Sequence, residues 1–204
     1  MKSTVYIETT VPSYLTAWRS PELVMAANQE ATRKWWDESR VTFDLFVSEL
    51  VIGEMSVGDP DAVKRRLDAV ENIPELALTN KAEELAAKLL EGAALPQKAK
   101  ADALHIAIAT VHGMDYLLTW NCTHIANAIM RPRIESICRS AGYEPPVICT
   151  PPRTRGGAVT PCGAIPSWKR FIESESSRPR HSATICTQFA RKFARGRQRP
   201  AVSW

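Results

Sequence analysis

The chain has 204 residues, 45% of them hydrophobic and 24% charged, with a formal net charge of +4, enough for one or two domains with a real core. No run of about 18 apolar residues occurs, which excludes a membrane-spanning helix. The five cysteines are odd in number and contain no C-x-x-C pair, which argues against a disulfide framework and a structural zinc site. Met1–Tyr6 carries no apolar leader and no cleavage signal, so a reducing cytoplasm is the expected location.

The charge is unevenly spread. Residues 1–150 hold 15 Lys+Arg against 20 Asp+Glu, whereas residues 151–204 hold 11 against 2. The basic balance therefore belongs to the end of the chain and gives no argument that the body binds nucleic acid.

Elements follow in chain order. Thr4-Val5-Tyr6-Ile7 is β-branched and aromatic, hence a first strand, with breaks at Pro12 and Pro21. Glu22–Ser39 has a helical pattern, and Val41–Val47 is a second strand. Ser48 caps a helix running through Met55, Gly58-Asp59-Pro60 punctuates, and Asp61–Val70 is helical again. Leu76-Ala77-Leu78 forms a short strand. Thr79 caps Asn80–Glu91, whose Ala82, Leu85, Ala86, Leu89 and Leu90 share a face. Lys98–Val111 is a helix stopped at Gly113, and Asp115–Thr119 is a strand. Thr123–Ala141 is a last helix, interrupted at Pro132, and Val147-Ile148 closes as a strand. Continuous apolar strands alternating with helices predict a parallel central sheet with helices on both faces.

Residues 151–204 read differently. Leucine occurs 14 times before residue 151 and not after it, and 6 of the 14 prolines fall in this segment. Such a composition predicts a mostly disordered basic tail. Three readings compete: a flexible nucleic-acid arm around Arg191–Arg199, a solvated extension, and an out-of-frame extension. The last two are preferred.

Parallel sheets bind ligands beyond the carboxyl ends of their strands. Glu8 follows the first strand, and Asn121 follows the run Tyr116-Leu117-Leu118-Thr119-Trp120. Asp102 falls in the first turn of its helix, where the helix dipole favours an anion, and it shares a face with His105, Ile106 and Ala109. Glu54 lies on the helix face of Leu50 and Val51. Three carboxylates and an Asn carbonyl suit a hard divalent cation such as magnesium or manganese, and such an ion assists phosphodiester hydrolysis. Against this stands the ordinary state of a lone acid, a solvated surface charge.

Four stretches resemble the PIN-domain family, in particular its VapC-like toxin branch. They are Val5–Leu15, Val47–Met55 with Gly58-Asp59-Pro60, Ala101–Ala109, and Asp115–Asn127. The resemblance covers roughly residues 4–150. It implies a three-layer α/β/α fold with a parallel central sheet over a 1–150 nuclease domain, followed by the tail. It also implies a Mg2+- or Mn2+-dependent endoribonuclease, a toxin paired with an antitoxin protein, acting on RNA and forming a homodimer. The family's acidic set falls on Glu8, Glu54, Asp102 and Asn121, as catalytic and metal residues, with Thr119 positioning water or phosphate. Glu8 and Asn121 both stand where Asp is common. A catalytically weakened RNA-binding or regulatory module is the alternative, and a DNA flap-type nuclease ranks below both.

Candidate RNA-holding cations are Arg19, Arg33, Lys34, Lys64-Arg65-Arg66, Arg131 and Arg133, each set against a solvated helix face, which is the preferred reading for Lys64-Arg65-Arg66. The adjacent Trp35 and Trp36 are expected not to be buried together. His105 is expected as a packed helix residue, His124 as a surface residue and Cys122 as an inert thiol.

Overall fold

Thr4, Val5, Tyr6 and Ile7 favour extended backbone because branched and aromatic side chains fit a pleated, covered surface. They form β1 (Ser3–Ile7), the centre of the sheet. The computed structural model describes residues 2–151. After β1 come α1 (Thr10–Thr16), α2 (Leu23–Glu38), β2 (Phe43–Ser48), α3 (Glu49–Met55), α4 (Pro60–Val70), β3 (Glu75–Leu76), α5 (Asn80–Glu91), α6 (Lys100–Val111), β4 (Tyr116–Leu118), α7 (Arg131–Ser140) and β5 (Val147–Cys149). The strand order is β3-β2-β1-β4-β5, and every pairing is parallel. This is the three-layer α/β/α arrangement that the sequence predicts. The tail expected over 151–204 lies, apart from Pro151, outside the described residues.

The helix boundaries have local causes. The Ser48 hydroxyl accepts from Val51 N at 3.3 Å and opens α3. Asp59 accepts from Ala62 N at 2.9 Å and Thr79 from Ala82 N at 3.3 Å, opening α4 and α5. Gly113 follows α6 with φ +67°, a conformation that a residue without Cβ adopts freely. On α6, Ala103, His105, Ile106, Ala107, Ile108, Ala109 and Thr110 are all buried. A helix covered all round lies inside the protein, not on its surface.

Three expectations are corrected. Pro12 does not break the chain but sits in the first turn of α1, where a missing N–H leaves no helical bond unmade. Pro132 likewise starts a helix: α7 begins at Arg131, and residues 123–130 form turns instead of helix. Trp35 and Trp36 are both buried. Trp35 lies against Phe43 with ring centroids 6.2 Å apart, and Arg40 covers the Trp36 ring at 5.1 Å. Two adjacent helical positions can both be covered when the chain beyond the helix folds back over the second.

Candidate active site

The register of the sheet brings the site together. Ile7 pairs with Leu118, and the Glu8 N–H still donates to Leu118 O at 3.0 Å. The next residue on each strand is therefore Glu8 on one side and Thr119 on the other. This point lies where the strand order reverses, between β1 and β4, the position at which a parallel sheet opens a crevice. On the other side of β1, Tyr6 pairs with Phe46, so the chain reaches Ser48 and enters α3 at the same edge of the sheet.

Glu8 is 4% exposed, and its Oε2 is held from three sides. Thr10 N donates to it at 3.1 Å, the Thr10 hydroxyl donates to it as well, and the Thr119 hydroxyl donates at 2.7 Å. A buried carboxylate needs protein donors of this kind in place of water. The two threonines are themselves fixed: Trp120 N donates to Thr10 Oγ1 and Asn121 N to Thr119 Oγ1, each at 2.8 Å.

Glu54, near the end of α3, meets two partners at Oε2. The Thr9 hydroxyl donates to it, and His105 Nε2 lies at 3.1 Å. The His105 hydrogen bond holds the Glu54 carboxyl below the ordinary carboxylate range; burial opposes this and Thr9 assists it. Behind His105, Nδ1 lies 2.8 Å from the Tyr6 hydroxyl, which is 2.7 Å from Ser48 Oγ. Burial pushes the Tyr6 hydroxyl far above its usual range; the Ser48 hydrogen bond opposes that, and the charges of Glu8 and Glu54 add to it.

Asp102 belongs to a second group. Its Oδ1 accepts from Asn121 Nδ2 at 2.8 Å, and its Oδ2 lies 2.6 Å from His124 Nδ1. Asn121 Oδ1 in turn accepts from His124 N at 3.1 Å. Asn121 is thus at once a turn residue and a clamp on Asp102.

The structure therefore links all five residues singled out in the sequence, in two subsites. Glu8 and Glu54 come together with His105, with one ligand-type atom from each lying within 4.8 Å of the others. Asp102 does not join that cluster. It connects to Glu8 through Asn121 and Thr119, whose hydroxyl accepts from one and donates to the other.

The PIN domain family model matches residues 5–121. The chain belongs to the PIN domain family. Among solved structures it resembles VapC20 of Mycobacterium tuberculosis, a sarcin–ricin loop cleaving toxin. The two are 13% identical with a TM-score of 0.45, covering 61% of this chain and 95% of that one. It also resembles VapBC2 of Rickettsia felis bound to a DNA fragment from its promoter. Identity there is 14% and the TM-score 0.45, covering 72% of this chain and 98% of that one. No curated protein sequence matches the chain. PIN membership carries the coarse assignment, a nuclease of the hydrolase class. Among the described residues no helix is long and apolar enough to cross a membrane.

The donor set of this PIN domain fits a divalent cation. Glu8 Oε1 and Glu54 Oε1 have no hydrogen-bond partner among the described residues, while the Oε2 atoms carry the hydrogen bonds of both carboxylates. Two nearby carboxylates with spare oxygens repel unless a proton or cation lies between them. Oxygen donors of this kind suit magnesium or manganese.

Several side chains expected at the surface have other duties. Arg33 donates to Ala17 O, Arg66 to Met55 O and Val57 O, Arg131 to Ile148 O, and Arg133 to Gly92 O. Lys64 pairs with Asp68 at 2.8 Å, and Arg65 lies over the Trp18 ring at 5.5 Å. Half of the eight candidate RNA-holding cations thus donate to backbone carbonyls of the fold. His105 is packed on its helix as expected, yet it also meets Glu54, and His124 leaves its expected surface role to contact Asp102. The sequence signal for His105 was its place on a helix apolar on all sides, where a buried imidazole needs two partners. His124 stands three residues after Asn121, within reach of the same turn.

Proposed function

We propose that the chain is a Mg2+- or Mn2+-dependent endoribonuclease, the toxin of a toxin–antitoxin pair. The observation that carries this reading is the pair of carboxylates, Glu8 and Glu54, each with one oxygen held by threonine and the other unclaimed, at the switch point of a PIN sheet. Glu8 and Glu54 would hold the cation. Asp102 and Asn121 would complete its surroundings through the hydrogen-bonded group around Thr119. A bound divalent cation would supply charge neutralisation at the scissile phosphate and lower the pKa of water.

The protein's own groups do the rest. Threonines 9, 10 and 119 fix the two carboxylates before substrate arrives, so little reorganisation is needed when charge develops. Glu54, acceptor-only when ionised, takes the proton of an attacking water if that water lies within hydrogen-bond reach. The His105 contact keeps Glu54 ionised until it does so. Attack at phosphorus then leaves a 5′-phosphate and a 3′-hydroxyl. Asn121 and Thr119 position the substrate phosphate indirectly, by holding Asp102 and Glu8. A cognate antitoxin, a homodimer and a cytoplasmic location belong to the same reading.

A second reading has one observation in its favour. Both Asp102 oxygens are spent on Asn121 and His124, as suits a weakened module that binds or regulates RNA without cutting it. Titration of Mg2+ and Mn2+ against purified protein and single-stranded RNA separates the two. Metal-dependent turnover supports the nuclease, whereas RNA retention with no product at any metal concentration supports the binding module.

A further inference from the structure

His105 is 1% exposed, and Tyr6 and Ser48 are fully covered. Each has polar atoms that burial obliges to find partners. The protons of this group can be placed one by one. The backbone N–H of Val51 donates to Ser48 Oγ at 3.3 Å, so the Ser48 proton is available to an acceptor. That acceptor is the Tyr6 oxygen at 2.7 Å, which leaves the Tyr6 proton for His105 Nδ1 at 2.8 Å. Nδ1 is then the bare nitrogen, and the ring proton sits on Nε2, 3.1 Å from Glu54 Oε2. An ionised carboxylate only accepts, so this last contact requires that proton. The opposite order, with Nδ1 donating to Tyr6 and Tyr6 to Ser48, strands the Ser48 proton in a buried site with no acceptor among the described residues.

We infer that Tyr6 and His105 are positioning residues: the Ser48–Tyr6–His105 chain fixes the Nε2–H tautomer of His105, which holds Glu54 Oε2 and leaves Oε1 to the cation. The chain begins and ends on α3, at its capping residue Ser48 and at Glu54. It passes through β1 and α6 on the way. It therefore sets the rotation of α3 against the sheet as well as the carboxylate. Partners that orient a ligand in this way typically contribute 10–100-fold to metal affinity. The inference rests on the metal-dependent reading for the cation, but its tautomer assignment stands on hydrogen bonding alone.

The test uses full-length protein labelled with 15N-histidine, together with Tyr6→Phe, His105→Gln and His105→Leu. Tyr6→Phe keeps the ring and the Ser48–Val51 cap. Metal-free wild type should show His105 as the Nε2–H tautomer, and Tyr6→Phe should shift it toward Nδ1–H. Mn2+ affinity, read by calorimetry, should fall about 10-fold or more in Tyr6→Phe and His105→Leu. His105→Gln, which keeps a donor near the Nε2 position, should recover part of the loss. An Nδ1–H ring in the wild type, or a tautomer unmoved by Tyr6→Phe, overturns the inference. So does equal loss of Mn2+ affinity in the Gln and Leu variants. Wild type that binds no Mn2+ overturns the metal reading instead, while the tautomer result still decides the proton placement.

Discussion

Thr119 donates its hydroxyl proton to Glu8 Oε2 at 2.7 Å across a sequence separation of 111 residues. Thr119 Oγ1 also accepts from Asn121 N at 2.8 Å. One buried hydroxyl thereby joins the carboxylate end of β1 to the turn that clamps Asp102. Thr119→Val keeps the shape and removes the oxygen. Leaving a buried carboxylate and a backbone N–H each short of a partner costs about 1–3 kcal/mol. The expected outcome is a lower urea midpoint with an unchanged slope, and a weaker Mn2+ affinity. Unchanged stability and affinity would show that Thr119 is a bystander.

Glu8 and Glu54 place two carboxylates in one pocket, and that arrangement is unfavourable without a counter-ion. In metal-free buffer, Glu54→Gln relieves that repulsion but gives up the ionised acceptor of His105 and Thr9. Addition of Mn2+ should raise the melting temperature of the wild type and leave that of the variant nearly unmoved, because a ligand stabilises only the state that binds it. Equal shifts in both proteins would place the cation elsewhere.

The Glu54 carboxyl is held below its ordinary value of 4.5, chiefly by the His105 hydrogen bond. A folded-state pKa depressed in this way contributes stability that is present above the unfolded value and is lost as pH falls through the folded one. Unfolding free energy of the wild type should thus drop through the range below about pH 4.5 more steeply than that of Glu54→Gln. Urea titrations at several acid pH values measure the difference. Parallel curves would mean that Glu54 titrates alike in both states.

Gly92 ends α5 directly beneath α7. A Cβ placed there would stand 2.5 Å from Ile137 Cδ1 and 2.9 Å from Lys88 O. The backbone oxygen cannot swing away as a side chain does. Gly92→Ala should cost about 1–3 kcal/mol through overpacking, with the affinity of the site for Mn2+ retained. A variant as stable as wild type would mean that α7 moves aside at little cost.

The alternation of strand and helix was open in the residues themselves. Thr4–Ile7, the Ser48 cap and the Thr79 cap each carry a strong local signal, and each fell where it was expected. The misread stretches are those where one residue type supports two structures. Pro12 and Pro132 stop a helix in its interior and start one in its first turn, and only the neighbouring chain decides between them. Trp35 and Trp36 were judged by helical geometry alone, whereas Arg40 lies just beyond α2. In the site, Glu8, Glu54, Asp102, Asn121 and Thr119 could be named from the family pattern and their places at element ends. Their division into a Glu8–Glu54–His105 group and an Asp102–Asn121–His124 group could not, because it depends on side-chain directions set by tertiary packing. The basic residues were legible as charges but not as tethers, since a carbonyl partner leaves no mark in sequence.

The central claim is that Glu8 is part of a metal-dependent site for cutting RNA. Its most direct test is the cleavage rate of a labelled single-stranded RNA by wild type and Glu8→Gln, in Mn2+ and in EDTA. The account predicts product only for wild type in Mn2+, ending in a 5′-phosphate, with Glu8→Gln folded and at least 100-fold slower, about 2.7 kcal/mol of lost transition-state stabilisation. Cleavage that persists in EDTA, or a Glu8→Gln rate equal to wild type, would contradict it.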